Sequence, residues 1–130
     1  MKLQLNKIQH VAIICSDYAR SKKFYTEVLQ LHIVKETYRE ERQSYKLDLA
    51  INGHYQVELF SFPSPPPRPS RPESCGLRHL AFEVENIDVA VRSLNDLAVY
   101  TEPIRVDEIT GKRFTFFADP DGLPIELYEK

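Results

Sequence analysis

The chain is short of three things, and each shortage excludes a class of protein. Only two cysteines occur in 130 residues, Cys15 and Cys75, far apart and outside any CxxC spacing. That excludes a disulfide framework and a thiolate zinc site, and it fits reduced thiols in a reducing compartment. No apolar run approaches the roughly 20 residues needed to span a bilayer. The opening stretch, MKLQLNKIQH, carries no signal-peptide pattern, so a cytoplasmic location is expected. Charge excess is missing as well. The net charge of −2 leaves no electrostatic footprint for nucleic acid as a main partner.

What the chain does have is proline in one place. Residues 63–75, PSPPPRPSRPESC, hold six of the nine prolines. Such a segment cannot form a helix or a central strand and favours extended polyproline geometry. It reads as a stiff linker because the same order of elements lies on each side. Before it, KIQHVAII (7–14) predicts a strand. A helix follows over 16–31, with Ser16 or Asp17 as its cap and Phe24, Tyr25, Val28 and Leu29 at helical spacing. Strands are then expected at 32–40, 43–51 and 55–62, the last two joined by the hairpin signal Asn52-Gly53. After the linker, GLRHLAFEV (76–84) predicts a strand. Asn86 can cap a helix carrying Ile87, Ala90, Val91, Leu94 and Leu97. Strands near 99–107 and 112–118, the turn Asp119-Pro120-Asp121-Gly122 and the strand LPIELYE complete the chain. The expectation is α+β: one domain over 1–130, made of two tandem βαβββ modules (5–62 and 76–130) that form a curved mixed sheet.

The repeat places chemistry. His10-Val11-Ala12 aligns with His79-Leu80-Ala81, and Glu58-Leu59-Phe60 with Glu126-Leu127-Tyr128. In each of these strands the apolar neighbours alternate with the His or Glu, so the polar member lies on the face away from the helix. If the modules share one curved sheet, two imidazoles and two carboxylates converge on its concave side. That N₂O₂ set suits a borderline divalent ion such as Zn²⁺, Ni²⁺, Co²⁺ or Fe²⁺. Open positions for water or substrate mark a catalytic ion rather than a structural one.

Three stretches carry a likeness: IQHVAIICSDYARSKKFYTEVLQL, RHLAFEVENID and FFADPDGLPIELYE. With them the chain resembles the vicinal oxygen chelate superfamily, within it the glyoxalase I-like proteins, and most nearly the small bacterial YaeR-type branch. The resemblance implies paired βαβββ modules around one divalent metal per site, Ni²⁺ or Zn²⁺ foremost, with His10, Glu58, His79 and Glu126 as ligands. Glu58 points to the isomerase-like branch, because the extradiol dioxygenases and fosfomycin thiol transferases of the superfamily lack that glutamate. Two positions depart from the bacterial glyoxalase I pattern: Ile14 stands where an arginine holds glutathione, and Phe62 where an asparagine does. Gln30 replaces the glycine of a Leu-Gly-Leu helix end.

The resemblance further implies a glyoxalase-type lyase or isomerase acting on a small vicinal-oxygen substrate, an α-hydroxycarbonyl or hemithioacetal-like compound. Glu58 or Glu126 would move a proton between adjacent carbons. Lys46, Asp48, Phe114 and Phe116 share the parity of the ligand face and are candidate substrate contacts. Lys112 and Arg113, beside Gly111, are candidate anchors for an anionic group. The alternatives are an extradiol-type Fe²⁺ dioxygenase and a non-catalytic small-molecule binding or resistance protein. A proline-rich linker rising about 3.1 Å per residue can let the modules of one chain pair with those of another. The expected assembly is a homodimer in which His10 and Glu58 of one chain face His79 and Glu126 of its partner; a single-chain cup is the alternative.

Overall fold

Alternation and caps decide where the elements begin. In the computed structural model, which describes residues 1–130, β1 (Val11–Cys15) leads into α1 (Tyr18–Lys23), with Asp17 as the cap. The Asp17 carboxylate accepts from the Arg20 N–H at 3.1 Å, which satisfies a first-turn donor. The helix continues as a wider π turn over Phe24–Val28, where Leu29 N–H donates to Phe24 C=O at 3.0 Å. Gln30 then takes a left-handed φ of +56°, the conformation that a glycine usually supplies at a helix end. Three strands follow: β2 (His32–Arg39), β3 (Ser44–Ile51) and β4 (His54–Ser61). Asn52 and Gly53 both have positive φ, +48° and +79°, as a tight hairpin turn between β3 and β4 requires.

The second unit repeats the order. Strand β5 (Leu80–Val84) is followed by α2 (Ile87–Asp96), β6 (Arg105–Val106), β7 (Arg113–Ala118) and β8 (Pro124–Glu129). Asn86 caps α2 by accepting from Val89 N–H at 3.1 Å. The chain divides into units of residues Met1–Pro66 and Pro67–Lys130. Each holds its own four-stranded mixed sheet, ordered β1-β4-β3-β2 and β5-β8-β7-β6. The first pair of each is parallel and the others antiparallel. The α+β tandem architecture is therefore the one the sequence predicts.

Within each unit one sheet face is apolar and buried. In the first it comprises Ile13 and Cys15 of β1, Leu47 and Leu49 of β3, and Val57 and Leu59 of β4, with Tyr25 fully buried as well. In the second, Thr115, Phe117, Ile125 and Leu127 are buried together with Ile87 and Leu94 of α2. Burying this face is the main stabilising term for each sheet. It also fixes the register, because a one-residue slip would turn every core side chain outward. Lys22 and Tyr18 of α1 both donate to Glu36 Oε2 on β2, at 2.8 and 2.5 Å.

Three expectations change. The strand expected near 99–107 shrinks to Arg105–Val106. Pro103 has no N–H to give a ladder, so the segment before it is tied to β7 piecemeal: Glu102 N–H to Phe116 C=O at 2.9 Å, and Thr115 Oγ1 to Glu102 C=O at 2.7 Å. The strands expected over 7–14 and 76–84 begin only at Val11 and Leu80, one residue past His10 and His79, where pairing with β4 and β8 begins. The proline-rich segment is not extended throughout. Its second part belongs to the second unit and turns at residues 70–73. Arg68 holds that turn: Nε donates to Ser70 Oγ at 2.8 Å, and Nη2 donates to the carbonyls of Leu77 and Arg78 at 2.6 and 3.0 Å. No helix is long and apolar enough to cross a membrane.

Candidate functional site

Each unit presents one His–Glu pair on the sheet face opposite its core, at the same place in the register. In the first unit Glu58 sits mid-β4, between Ala12 of β1 and Asp48 of β3. Ala12 is small, so the imidazole of His10, two residues earlier and on the same face, can reach over it. His10 Nε2 lies 3.6 Å from Glu58 Oε1, and the glutamate side chain is only 8% exposed. Gln9 Oε1 accepts a hydrogen bond from His10 Nδ1, which places the proton there. Nε2 is then the ring nitrogen that faces the Glu58 carboxylate. A ligating histidine needs this tautomer, with its outer N–H held by an acceptor.

The surroundings of Glu58 are charged. Tyr55 donates its hydroxyl to Glu58 Oε2 and lies 3.5 Å from Asp48 Oδ1. Lys46 Nζ stands 3.0 Å from Asp48 Oδ1 and 3.6 Å from Glu58 Oε2. Its pKa is raised, chiefly by the hydrogen bond to Asp48. Two buried carboxylates therefore share one ammonium, and the cluster keeps a residual negative charge that a bound cation would offset.

In the second unit Glu126 sits mid-β8, between Ala81 of β5 and Phe116 of β7. His79 Nε2 is 3.1 Å from Glu126 Oε1, with side-chain exposures of 26% and 14%. The edge of one ring meets the face of the other where His79 packs on Phe116, centroids 5.1 Å apart. Arg78 Nη1 lies 3.3 Å from His79 Nδ1 and can only donate, so here the imidazole proton sits on Nε2, toward Glu126. A cation taken by Nε2 would require the proton to move to Nδ1 and the exposed Arg78 guanidinium to turn away from it, against the restraint of its ion pair with Glu73. The donor types of both pairs fit a divalent ion. Each unit offers two such ligands, and no set of three or more His, Cys, Asp or Glu is arranged as a metal cage.

The other sequence candidates separate. Lys46 and Asp48 flank Glu58, as their parity requires, and Phe116 flanks Glu126. Phe114 lies two residues along β7, opposite Tyr128 and 6.2 Å from the Phe116 ring. Lys112 is exposed beside the β6–β7 turn, its N–H bonded to Thr110 Oγ1 and its C=O to Asp107 N–H. Arg113 does not fit an anchor at this face. It shares the parity of the buried Thr115 and Phe117, and its guanidinium is taken by Glu129 at 2.9 and 3.2 Å and by Asp88 at 3.0 Å. Arg113 accordingly holds the Glu129 carboxyl below the usual range, through their hydrogen bonds.

A feature that sequence reasoning passed over is a cavity of about 570 Å³ in the second unit. Arg68, Arg71, Arg78, Arg105, Tyr100 and Phe116 are among its walls. The signal was present, since two of these arginines punctuate the proline-rich segment and a third immediately precedes His79. Reading that segment as linker concealed it.

Comparison with known proteins agrees with this geometry. Residues 7–127 match the Glyoxalase/Bleomycin resistance protein/Dioxygenase superfamily. The chain is 61% identical over 128 residues to YaeR of Escherichia coli (strain K12), covering 98% of this chain and 99% of that protein. The solved glyoxalase family protein from Enterococcus faecalis is 49% identical, covers 95% of this chain with 97% of its own, and superposes with a TM-score of 0.87. A more distant relative, the 2-epi-5-epi-valiolone epimerase of Actinomyces sp, is 26% identical over 141 residues, covering 92% of this chain and 77% of that protein. With near-complete coverage at such identity, and with a duplicated βαβββ architecture beneath it, the chain belongs to the Glyoxalase/Bleomycin resistance protein/Dioxygenase superfamily, alongside YaeR.

Proposed function

We propose that the protein is a metal-dependent lyase or isomerase of the glyoxalase type, acting on a small substrate with neighbouring oxygens. The observation that carries this reading is the recurrence of one His–Glu pair at the same register position in both units, Glu58 against Ala12 and Glu126 against Ala81. Supporting it is a family that includes an epimerase. His10, Glu58, His79 and Glu126 would hold the ion, each unit contributing one pair, with Ni²⁺ or Zn²⁺ foremost. When bound, a divalent ion supplies Lewis acidity to two neighbouring substrate oxygens and so acidifies the carbon-bound hydrogen between them.

The chain's own residues do the rest. Glu58 is tied by Lys46 and by the Tyr55 hydroxyl, whereas Glu126 has His79 as its ion partner and aromatic Phe116 beside it. Glu126 is thus the freer carboxylate and the better placed base. It takes the proton from the carbon bearing the hydroxyl and returns it to the adjacent carbonyl carbon, while the hydroxyl proton passes to the former carbonyl oxygen, so the net change is an internal redox isomerisation with no external oxidant. Phe116, cross-strand neighbour of Glu126 and in ring contact with His79, forms the apolar wall beside that carboxylate. The assembly that goes with this reading is a homodimer, His10 and Glu58 of one protomer facing His79 and Glu126 of its partner.

Elemental analysis of the purified protein tests the site. Near one divalent ion per chain is expected in the wild type and none in His79→Ala, with Glu126→Gln inactive yet folded. Light scattering should give twice the 15.1 kDa chain mass. No metal after reconstitution, with tight binding of small molecules and no turnover, would replace this reading by a binding protein. Oxygen uptake with catechols and Fe²⁺ would replace it by a dioxygenase.

A further inference from the structure

We propose that the arginine-walled cavity of the second unit receives the anionic end of the substrate, a phosphate or a carboxylate, so that the substrate is an anionic α-hydroxycarbonyl compound. This rests on the reading above for what happens at His79 and Glu126, and on the cavity alone for charge recognition.

Four arginines and two glutamates, Glu73 and Glu102, line the cavity. The local excess is positive although the chain as a whole is negative. The arginines are not equivalent. Arg68 is committed to backbone carbonyls and builds the wall. Arg78 is shared between Glu73 and His79. Arg105 rests its guanidinium 5.0 Å above the Phe114 ring and 5.8 Å from that of Phe116, and gives one donor to Glu102 at 3.1 Å. A guanidinium has five N–H donors, so most of this one remains available, and the aromatic shelf orients its plane. Arg71 is exposed on the cavity wall with no carboxylate partner. Two forked donors of this kind suit an oxyanion far better than a neutral group.

Position links the cavity to the chemistry. Phe116 lines it, pairs with Glu126 across β7 and β8, and touches His79 with its ring. Arg78 lines it and touches the same imidazole. His79 and Glu126 do not themselves line the cavity, but Phe116 and Arg78, which touch His79, do, so an anion held by Arg71 and Arg105 would lie next to the His79–Glu126 pair across Phe116. The volume suits a small metabolite with its first hydration shell partly displaced. The sequence agrees: Ile14 and Phe62 offer no charge or amide to an anionic ligand in the first unit, while the proline-rich segment carries Arg68 and Arg71 to the second.

Isothermal titration of the full-length protein with three probes tests this: dihydroxyacetone phosphate, hydroxypyruvate and neutral dihydroxyacetone. The anionic probes should bind at least about tenfold more tightly than the neutral one, less so as salt rises. Arg71→Ala combined with Arg105→Ala should remove that preference and leave neutral binding unchanged. Arg71→Ala alone, at an exposed site, should lose part of it without any effect on folding. Which anionic probe binds better distinguishes a phosphate from a carboxylate. Equal binding of charged and neutral probes, or a double variant with unchanged preference, would overturn the proposal. Repeating the titration on Glu126→Gln separates the two readings. Anion preference that persists in this variant, which the metal reading expects to be inactive, supports the cavity alone, whereas anion preference in a wild type that takes up no metal and turns nothing over would overturn the metal reading and leave the cavity standing.

Discussion

Removing the Arg68 side chain tests whether the proline-rich segment is part of the site's framework. Its guanidinium makes three hydrogen bonds, two of them to the carbonyls of the residues immediately before His79. A charge-assisted bond is worth about 1.5–3 kcal/mol when its partners stay dry. Leu77 and Arg78 are exposed, so both carbonyls recover water in Arg68→Ala. The loss per bond then falls to about 0.5–1 kcal/mol, or about 2 kcal/mol for the set, roughly a 30-fold change in the folded-to-unfolded ratio. Urea unfolding followed by circular dichroism should show it, together with faster amide exchange at Arg78 and His79. Because the lost bonds fix the approach to His79, the proposed metal site should weaken as well, by about tenfold or more, as when an outer-shell partner of a ligand is removed. Arg68→Lys keeps the charge but not the fork and should recover less than half of the loss. An unfolding midpoint and a metal affinity both equal to wild type in Arg68→Ala would refute the reasoning, and full recovery by Arg68→Lys would refute the part that depends on the fork.

Two other perturbations bear on the scaffold. Asp119 is buried, and its Oδ1 accepts from the N–H groups of Asp121 and Leu123, both at 2.9 Å, in the turn that delivers β8. Asp119→Ala should destabilise the protein by about 2–3 kcal/mol in urea titration, and Asp119→Asn, which keeps the acceptor, by much less. Glu36 has its pKa lowered, first by the hydrogen bond from Lys22 and then by that from Tyr18. A lowered folded-state pKa means that the contribution is present above the unfolded carboxylate's pKa and is lost as pH falls through the folded value. The stability gap between wild type and Glu36→Gln should accordingly be open near pH 7 and closed near pH 2, with a gap unchanged across that range counting against the pairing.

Much of the fold was legible because the signals that specify it are local. A cap needs only Asp17 or Asn86 and the following turn, a hairpin needs Asn52-Gly53, and parity along a strand assigns Glu58 and Glu126 to the face opposite Leu59 and Leu127. Gln30 was legible too, as a non-glycine residue in a left-handed helix end. What escaped depends on partners distant in sequence. The proline-rich composition says that the segment is stiff, but the turn at 70–73 depends on Arg68 reaching carbonyls nine and ten residues away. Arg113 was nominated by its nearness to Gly111, while its actual partners lie on α2 and β8. The π turn after α1 left no periodic mark, since one wide turn shifts the apolar stripe by a single position.

The two units are alike in their His–Glu pairs and unlike in what flanks them. Alanine opposite the glutamate and histidine two residues before that alanine recur in both, and these set the geometry of each His–Glu pair. The strand on the other side of the glutamate has diverged: Asp48 with Lys46 beside Glu58, Phe116 with Phe114 beside Glu126. The residue before the histidine has diverged as well, an acceptor in Gln9 and a donor in Arg78. Two identical half-sites would offer a substrate two equal bases and two equal orientations, and proton transfer would lose its stereochemical selectivity. The charged surroundings of Glu58 hold one carboxylate in place, and the aromatic surroundings of Glu126 leave the other free to act. Divergence of the flanks, on a duplicated frame, is therefore what would turn a symmetrical pair of metal ligands into a site with one base and one substrate orientation.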